Sequence, residues 1–111
     1  MKIVGIEPKS SAVLSGEKAG AHGIQGIGAG FIPEVLNPKI IDEIVTVTEQ
    51  EAYEMGQILG SHEGILVGIS SGAALSAAVK MASLAENEGK CIVVLLPDTG
   101  DRYLSTPLFK K

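Results

Sequence analysis

The stretch Cys91-Ile92-Val93-Val94-Leu95-Leu96 limits the possible folds most sharply, because it carries no charge, glycine or proline and so has no polar face to turn to water. Such a run fits a central parallel strand covered on both faces, which requires helices on either side. The predicted class is therefore α/β with a mostly parallel sheet. Ile3-Val4-Gly5-Ile6 reads as a second buried strand, closed by Glu7-Pro8 where proline cannot extend a ladder. Ile40 to Val47 reads as a third, with Ile44, Val45 and Val47 supplying β-branched bulk. Sheets commonly carry about four to six strands. Three strands therefore predict a partial three-layer sandwich, a piece of a larger sheet.

Two helices are expected between the strands. Thr48 and Glu51 have the spacing of a capping box, followed by an apolar stripe at Ala52, Met55 and Leu59, with Gly60 to Gly64 as the stop. The second helix is alanine-rich, from Ala73 to about Leu84, and ends at Asn87 to Gly89. Pro97-Asp98-Thr99-Gly100 turns the chain out of the sheet. Lys9 to Lys39 shows neither helical nor strand periodicity but holds Gly16, Gly20, Gly23, Gly26, Gly28 and Gly30. Connections longer than about 15 residues are usually functional or disordered. Ile24, Ile27, Phe31 and Ile32 favour order.

Composition narrows the function classes. The 111 residues are 45% hydrophobic and 20% charged, enough apolar material for one domain or part of one. A net charge of -4 without a basic stripe argues against nucleic acid. No apolar run nears the roughly 18 residues that cross a bilayer, and Met1-Lys2-Ile3-Val4 lacks signal-peptide architecture. Neither membrane insertion nor export is expected. Cys91 reads as a small buried thiol in a reducing cytoplasm. His22 and His62 have no partner at metal-site spacing and read as surface residues, so no metal is expected. Lys2, Lys18 and Lys39 have no buried setting that would make a nucleophile.

In open α/β sheets ligands gather beyond the carboxyl ends of strands. Glu7-Pro8 with the glycine loop, Pro97-Asp98, and Ser70-Ser71 all meet that description. Ser70 or Ser71 reads either as a helix N-cap, worth about 1 kcal/mol, or as a hydroxyl that donates to an uncharged ring nitrogen of a planar ligand. Gly26, Gly28 and Gly30 permit positive φ and close backbone approach, yet they lack the G-x-G-x-x-G spacing, and a mobile loop is the other reading. Asp98 could bond within its own turn, and Tyr103 could be core or pocket wall.

Glu7-Pro8, Leu14-Ser15-Gly16, His22 to Phe31 (HGIQGIGAGF), Gly64 to Ala74 (GILVGISSGAA) and Leu96 to Leu108 (LPDTGDRYLSTPL) resemble, in order and register, the C-terminal third of cysteine synthases, also called O-acetylserine sulfhydrylases. The related cystathionine β-synthases usually carry a bulkier aromatic where this chain has Ala29. The resemblance implies pyridoxal phosphate as cofactor and residues 1–111 as the C-terminal part of the large cofactor-binding domain of the type II fold. It implies that Ser70 donates to the pyridine nitrogen, that Pro97 and Asp98 form wall beside the ring, and that Gly26, Ile27, Gly28 and Ala29 line the substrate side. The reaction implied is β-replacement: acetate leaves O-acetylserine and sulfide adds to give cysteine. The family's lysine, substrate-carboxylate loop and phosphate cradle are not among these residues, so no catalytic residue is expected here and the chain alone is expected to be inactive. In the complete enzyme the resemblance implies a cytoplasmic homodimer. An alternative is a noncatalytic module binding the tail of serine acetyltransferase, and a third is a stand-alone anion or nucleotide binder.

Overall fold

The structure is a computed structural model that describes residues 1–109. Strands β1 (Val4–Pro8) and β2 (Glu43–Val47) pair in parallel, with Val4 opposite Glu43 and Pro8 opposite Val47. β1 therefore runs through Glu7 and Pro8 instead of stopping before them, since a proline at the last position forfeits only one donor. Beside it, the Ile3 N–H donates to the Asp42 carboxylate at 2.7 Å and the Asp42 N–H returns to the Ile3 carbonyl at 2.8 Å. β2 starts later than the apolar run because Pro38–Ile40 coils into a 3-10 turn, fixed by the Lys39 N–H donating to the Asn37 side chain.

Helix α1 (Glu49–Ile58) opens with the expected capping box. Glu51 N–H donates to Thr48 Oγ1 at 3.1 Å and Thr48 N–H donates to the Glu51 carboxylate at 2.9 Å. Lys80 reaches the same carboxylate at 2.9 Å. The Thr48 N–H first, and then Lys80, hold the Glu51 carboxyl below its ordinary value of 4.5. A depressed carboxylate stabilises the folded chain above about pH 4.5, and that stability is lost as pH falls through the lowered value. Glu51→Gln is therefore expected to flatten the acid limb of stability against pH. Urea midpoints compared at neutral and acid pH test this, and an unchanged acid slope would refute it.

α1 ends in a π-helical turn, Leu59–Glu63, closed by Gly64 at φ 71°. Helix α2 (Ile69–Ala82) begins four residues before the predicted Ala73, at an N-cap formed by Gly68. It packs along α1 and also touches both strands. Gly72 makes the close helix contact possible, because a Cβ there would overlap the Ala52 carbonyl of α1. The core between these elements is Ile24, Val47, Ala52, Ile69, Ala73, Ala77, Tyr103 and Leu108. Ile24 belongs to the long connection and is fully buried, so that connection is ordered, as expected.

The run that sets the fold class on paper behaves otherwise. Residues 91–96 form no strand, Val93 is 90% exposed, Leu95 is 80% exposed and Cys91 is an exposed free thiol rather than a buried one. An apolar run becomes a strand only when a neighbour takes its N–H and C=O groups. Among the described residues none does, and the sheet has two strands rather than three. The α/β class with a parallel sheet stands. Among the described residues no helix is long and apolar enough to cross a membrane.

Candidate functional site

The carboxyl end of β1 delivers Glu7 to the edge of an open groove of about 480 Å³, which is lined as well by Leu14, Phe31 and the predicted Gly26, Ile27, Gly28 and Ala29. Glu7 is buried, and its carboxylate accepts from the Leu14 N–H at 2.8 Å and from the Ser15 hydroxyl. Both oxygens are thus used to hold the turn at Val13–Ser15 against the strand end. A buried carboxylate is tolerable only with such donors.

The glycine turn is stapled by a residue that sequence reasoning placed on the surface. His22 is half-buried; its Nδ1 accepts from the Ile24 N–H at 3.1 Å, which leaves Nε2 to carry the proton that it donates to the Gly28 carbonyl at 2.7 Å. Gly28 sits at φ +63°, and a Cβ there would lie 2.6 Å from both His22 Nε2 and Pro8 Cγ. Only glycine combines that dihedral with that proximity. The Gly23 N–H donates to the Glu49 carboxylate, tying the loop to the start of α1. The sequence does hold a signal for the staple, since an imidazole can accept from the N–H two residues ahead.

Ser70 lies in the first turn of α2 and is 5% exposed. Its capping reading fails: the cap is Gly68, with no side-chain cap bond. Among the described residues Ser70 Oγ has no hydrogen-bond partner, and a Cβ built at Gly26 would come within 3.3 Å of it. The absent side chain at Gly26 keeps open the space that Ser70 faces. Ser71 is committed instead, donating to Asp98 Oδ1 at 3.0 Å.

Asp98 does not bond within its own turn. Its Oδ2 accepts from the Tyr103 hydroxyl at 2.9 Å, and its backbone carbonyl accepts from the Gly68 N–H at 3.3 Å. Pro97 is exposed, and neither Pro97 nor Asp98 lines the groove. The structure thus brings Ser70 to the glycine loop, while Asp98 meets the adjacent serine. Tyr103 is core, at 6% exposure, and its phenol is pushed above 10 by burial first and by the Asp98 bond second. A raised acid stabilises the fold below pH 10, and that contribution is lost as pH climbs through the raised value. In a Tyr53→Phe background, ultraviolet titration should show Tyr103 ionising above 10, and Asp98→Asn should bring it part of the way down. No movement on that substitution would contradict the bond. His62 is exposed at the end of α1, and no metal-ligand cluster occurs among the described residues.

A family model for pyridoxal-phosphate dependent enzymes matches residues 1–98. The chain belongs to this pyridoxal-phosphate dependent family. It is 51% identical over 109 residues to a cysteine synthase of Staphylococcus aureus strain Mu50, covering 98% of this chain and 35% of that protein. The crystal structure of an O-acetylserine sulfhydrylase, isoform 3, from Entamoeba histolytica superposes with a TM-score of 0.96 at 51% identity, over 99% of this chain and 33% of that one. An O-acetylserine dependent cystathionine β-synthase from Helicobacter pylori is more distant, with a TM-score of 0.84 and 39% identity over 99% of this chain and 35% of that one. The chain spans about a third of the length of the relatives it matches. Its fold is a piece of the type II pyridoxal-phosphate enzyme fold. The cofactor fits what is present here: Ser70 offers a neutral, uncommitted donor, suited to a ring nitrogen that keeps its lone pair.

Proposed function

We propose that residues 1–111 are part of the large cofactor-binding domain of a cysteine synthase, which forms L-cysteine from O-acetylserine and sulfide by β-replacement. The observation that carries this reading is the Ser70 hydroxyl, which has no partner among the described residues, on a residue only 5% exposed and facing the side-chain-free Gly26. When bound, pyridoxal phosphate supplies an electron-withdrawing ring that stabilises negative charge at the substrate α-carbon. Ser70 would hold that ring by donating to its nitrogen, and a hydroxyl does so without adding a charge. The backbone of Gly26, Ile27, Gly28 and Ala29 would face the amino-acid substrate, held in shape by His22. In this reading Asp98 acts at one remove from the ring, through its bonds to Ser71 and Gly68, and Pro97 is proposed as wall beside it.

None of the described residues lining the groove is a lysine, and in this reading the attachment point for the cofactor and the base for the α-proton would come from outside residues 1–111. By itself it is expected to make no cysteine. The complete enzyme is proposed to be a cytoplasmic homodimer. A chimera in which these residues replace the matching third of the Staphylococcus aureus cysteine synthase is expected to form cysteine from O-acetylserine and sulfide, and Ser70→Ala should weaken its hold on the cofactor. A chimera that folds and takes up cofactor yet makes no cysteine would sink the reading.

A further inference from the structure

We propose that Asp98 is a positioning residue for Ser70: by gripping Ser71 it sets the rotation of the first turn of α2 and so aims the neighbouring hydroxyl at the glycine loop. The proposal deepens the reading of Ser70 as the cofactor's hydrogen-bond donor. Four contacts place Asp98 for this work. Its Oδ1 accepts from Ser71 Oγ at 3.0 Å, its Oδ2 from the Tyr103 hydroxyl at 2.9 Å, its backbone carbonyl from the Gly68 N–H at 3.3 Å, and its side chain lies over Gly68 so closely that a Cβ there would overlap both carboxylate oxygens. The segment carrying it is joined to the chain before α2 by the Gly100 N–H donating to the Leu66 carbonyl at 3.1 Å and by the Val67 bridge to Thr99.

The first turn of a helix has N–H groups without intrahelical partners and is the part most free to fray or rotate. Successive side chains are set about 100° apart around the axis. Fixing the direction of Ser71, which is fully buried, therefore fixes the direction of Ser70. The sequence alternates the tasks: one serine is the anchor and the other is left free to meet a ligand. Tyr103 completes the arrangement, because a carboxylate held from both sides has one orientation in which to present Oδ1. A Cβ built at Gly26 would lie 3.6 Å from Ser70 Cβ, so the aim has a direct reporter in the proton contact between those two residues.

The test is made on the 111-residue chain by nuclear magnetic resonance. In the native chain a strong cross-relaxation peak is expected between Gly26 Hα and Ser70 Hβ. Asp98→Ala and Ser71→Ala should each cut it at least twofold while contacts between Ala52 and Gly72 persist. Asp98→Asn, which retains an acceptor for Ser71, should restore most of it. Should Asp98→Ala fail to fold, Ser71→Ala alone decides. Full peak intensity in the alanine variants would overturn the proposal. Cofactor uptake by the Staphylococcus aureus chimera separates the two readings. Native uptake in the Ser70→Ala chimera, with the Gly26–Ser70 peak intact in the native chain, would count against the cofactor role while leaving the positioning role intact.

Discussion

Replacing Gly72 by alanine is expected to unfold most of what α1 and α2 build together, at a cost of about 3 kcal/mol, the upper range for overpacking a tight contact. The added methyl would overlap the Ala52 carbonyl and reach within 3.1 Å of the Gly56 backbone nitrogen. Neither neighbour is a flexible side chain that can swing aside. Both are backbone atoms of α1, so relief requires the helices to separate and to expose Ala52, Ala73 and Ala77, each at most 1% exposed. Urea unfolding followed by circular dichroism should place the midpoint lower by more than about 1 M, given a slope of about 2 kcal/mol per M for small domains. A variant with the native midpoint would show that the helices are not held by this approach.

Leu108→Ala is the second large effect, for the opposite reason. Leu108 is fully buried and rests on the backbone of α1 at Gly56, where a Cβ would come 2.7 Å from Leu108 Cδ1. Truncation leaves a cavity that the rigid helix cannot collapse to fill, which costs about 3 kcal/mol for a buried leucine. The segment is held there as well by Gln57 Nε2 donating to the Pro107 carbonyl at 3.0 Å and by Phe109, which packs against the core beside Gly100. Loss of the anchor should also free Tyr103 and, through it, the Asp98 grip on Ser71. Faster hydrogen exchange at Tyr103 is therefore expected along with the lower midpoint. Native protection at Tyr103 would show that it is held independently of Leu108.

Much of this was legible in the chain because it depends on neighbours in sequence. Thr48 and Glu51 cap α1 through bonds three residues apart, and the glycine loop declares its tight backbone through Gly26 and Gly28. The start of α2 was harder to read, because two serines in a row suggest a cap, whereas Gly68 serves as one and leaves their hydroxyls for distant work. The pairing of Ser71 with Asp98 spans 27 residues, and no local pattern announces it. Residues 91–96 show the limit most clearly. Apolar character states what a segment needs, but whether it becomes a strand depends on a partner's backbone.

Those six residues also have a consequence for the life of the chain in a cell. Outward-facing Val93 and Leu95, beside amide groups that no strand engages among the described residues, present the same surface that a misfolded protein shows to chaperones and proteases. In the proposed complete enzyme, whatever segment pairs with residues 91–96 would therefore also be what hides Val93 and Leu95 from quality control.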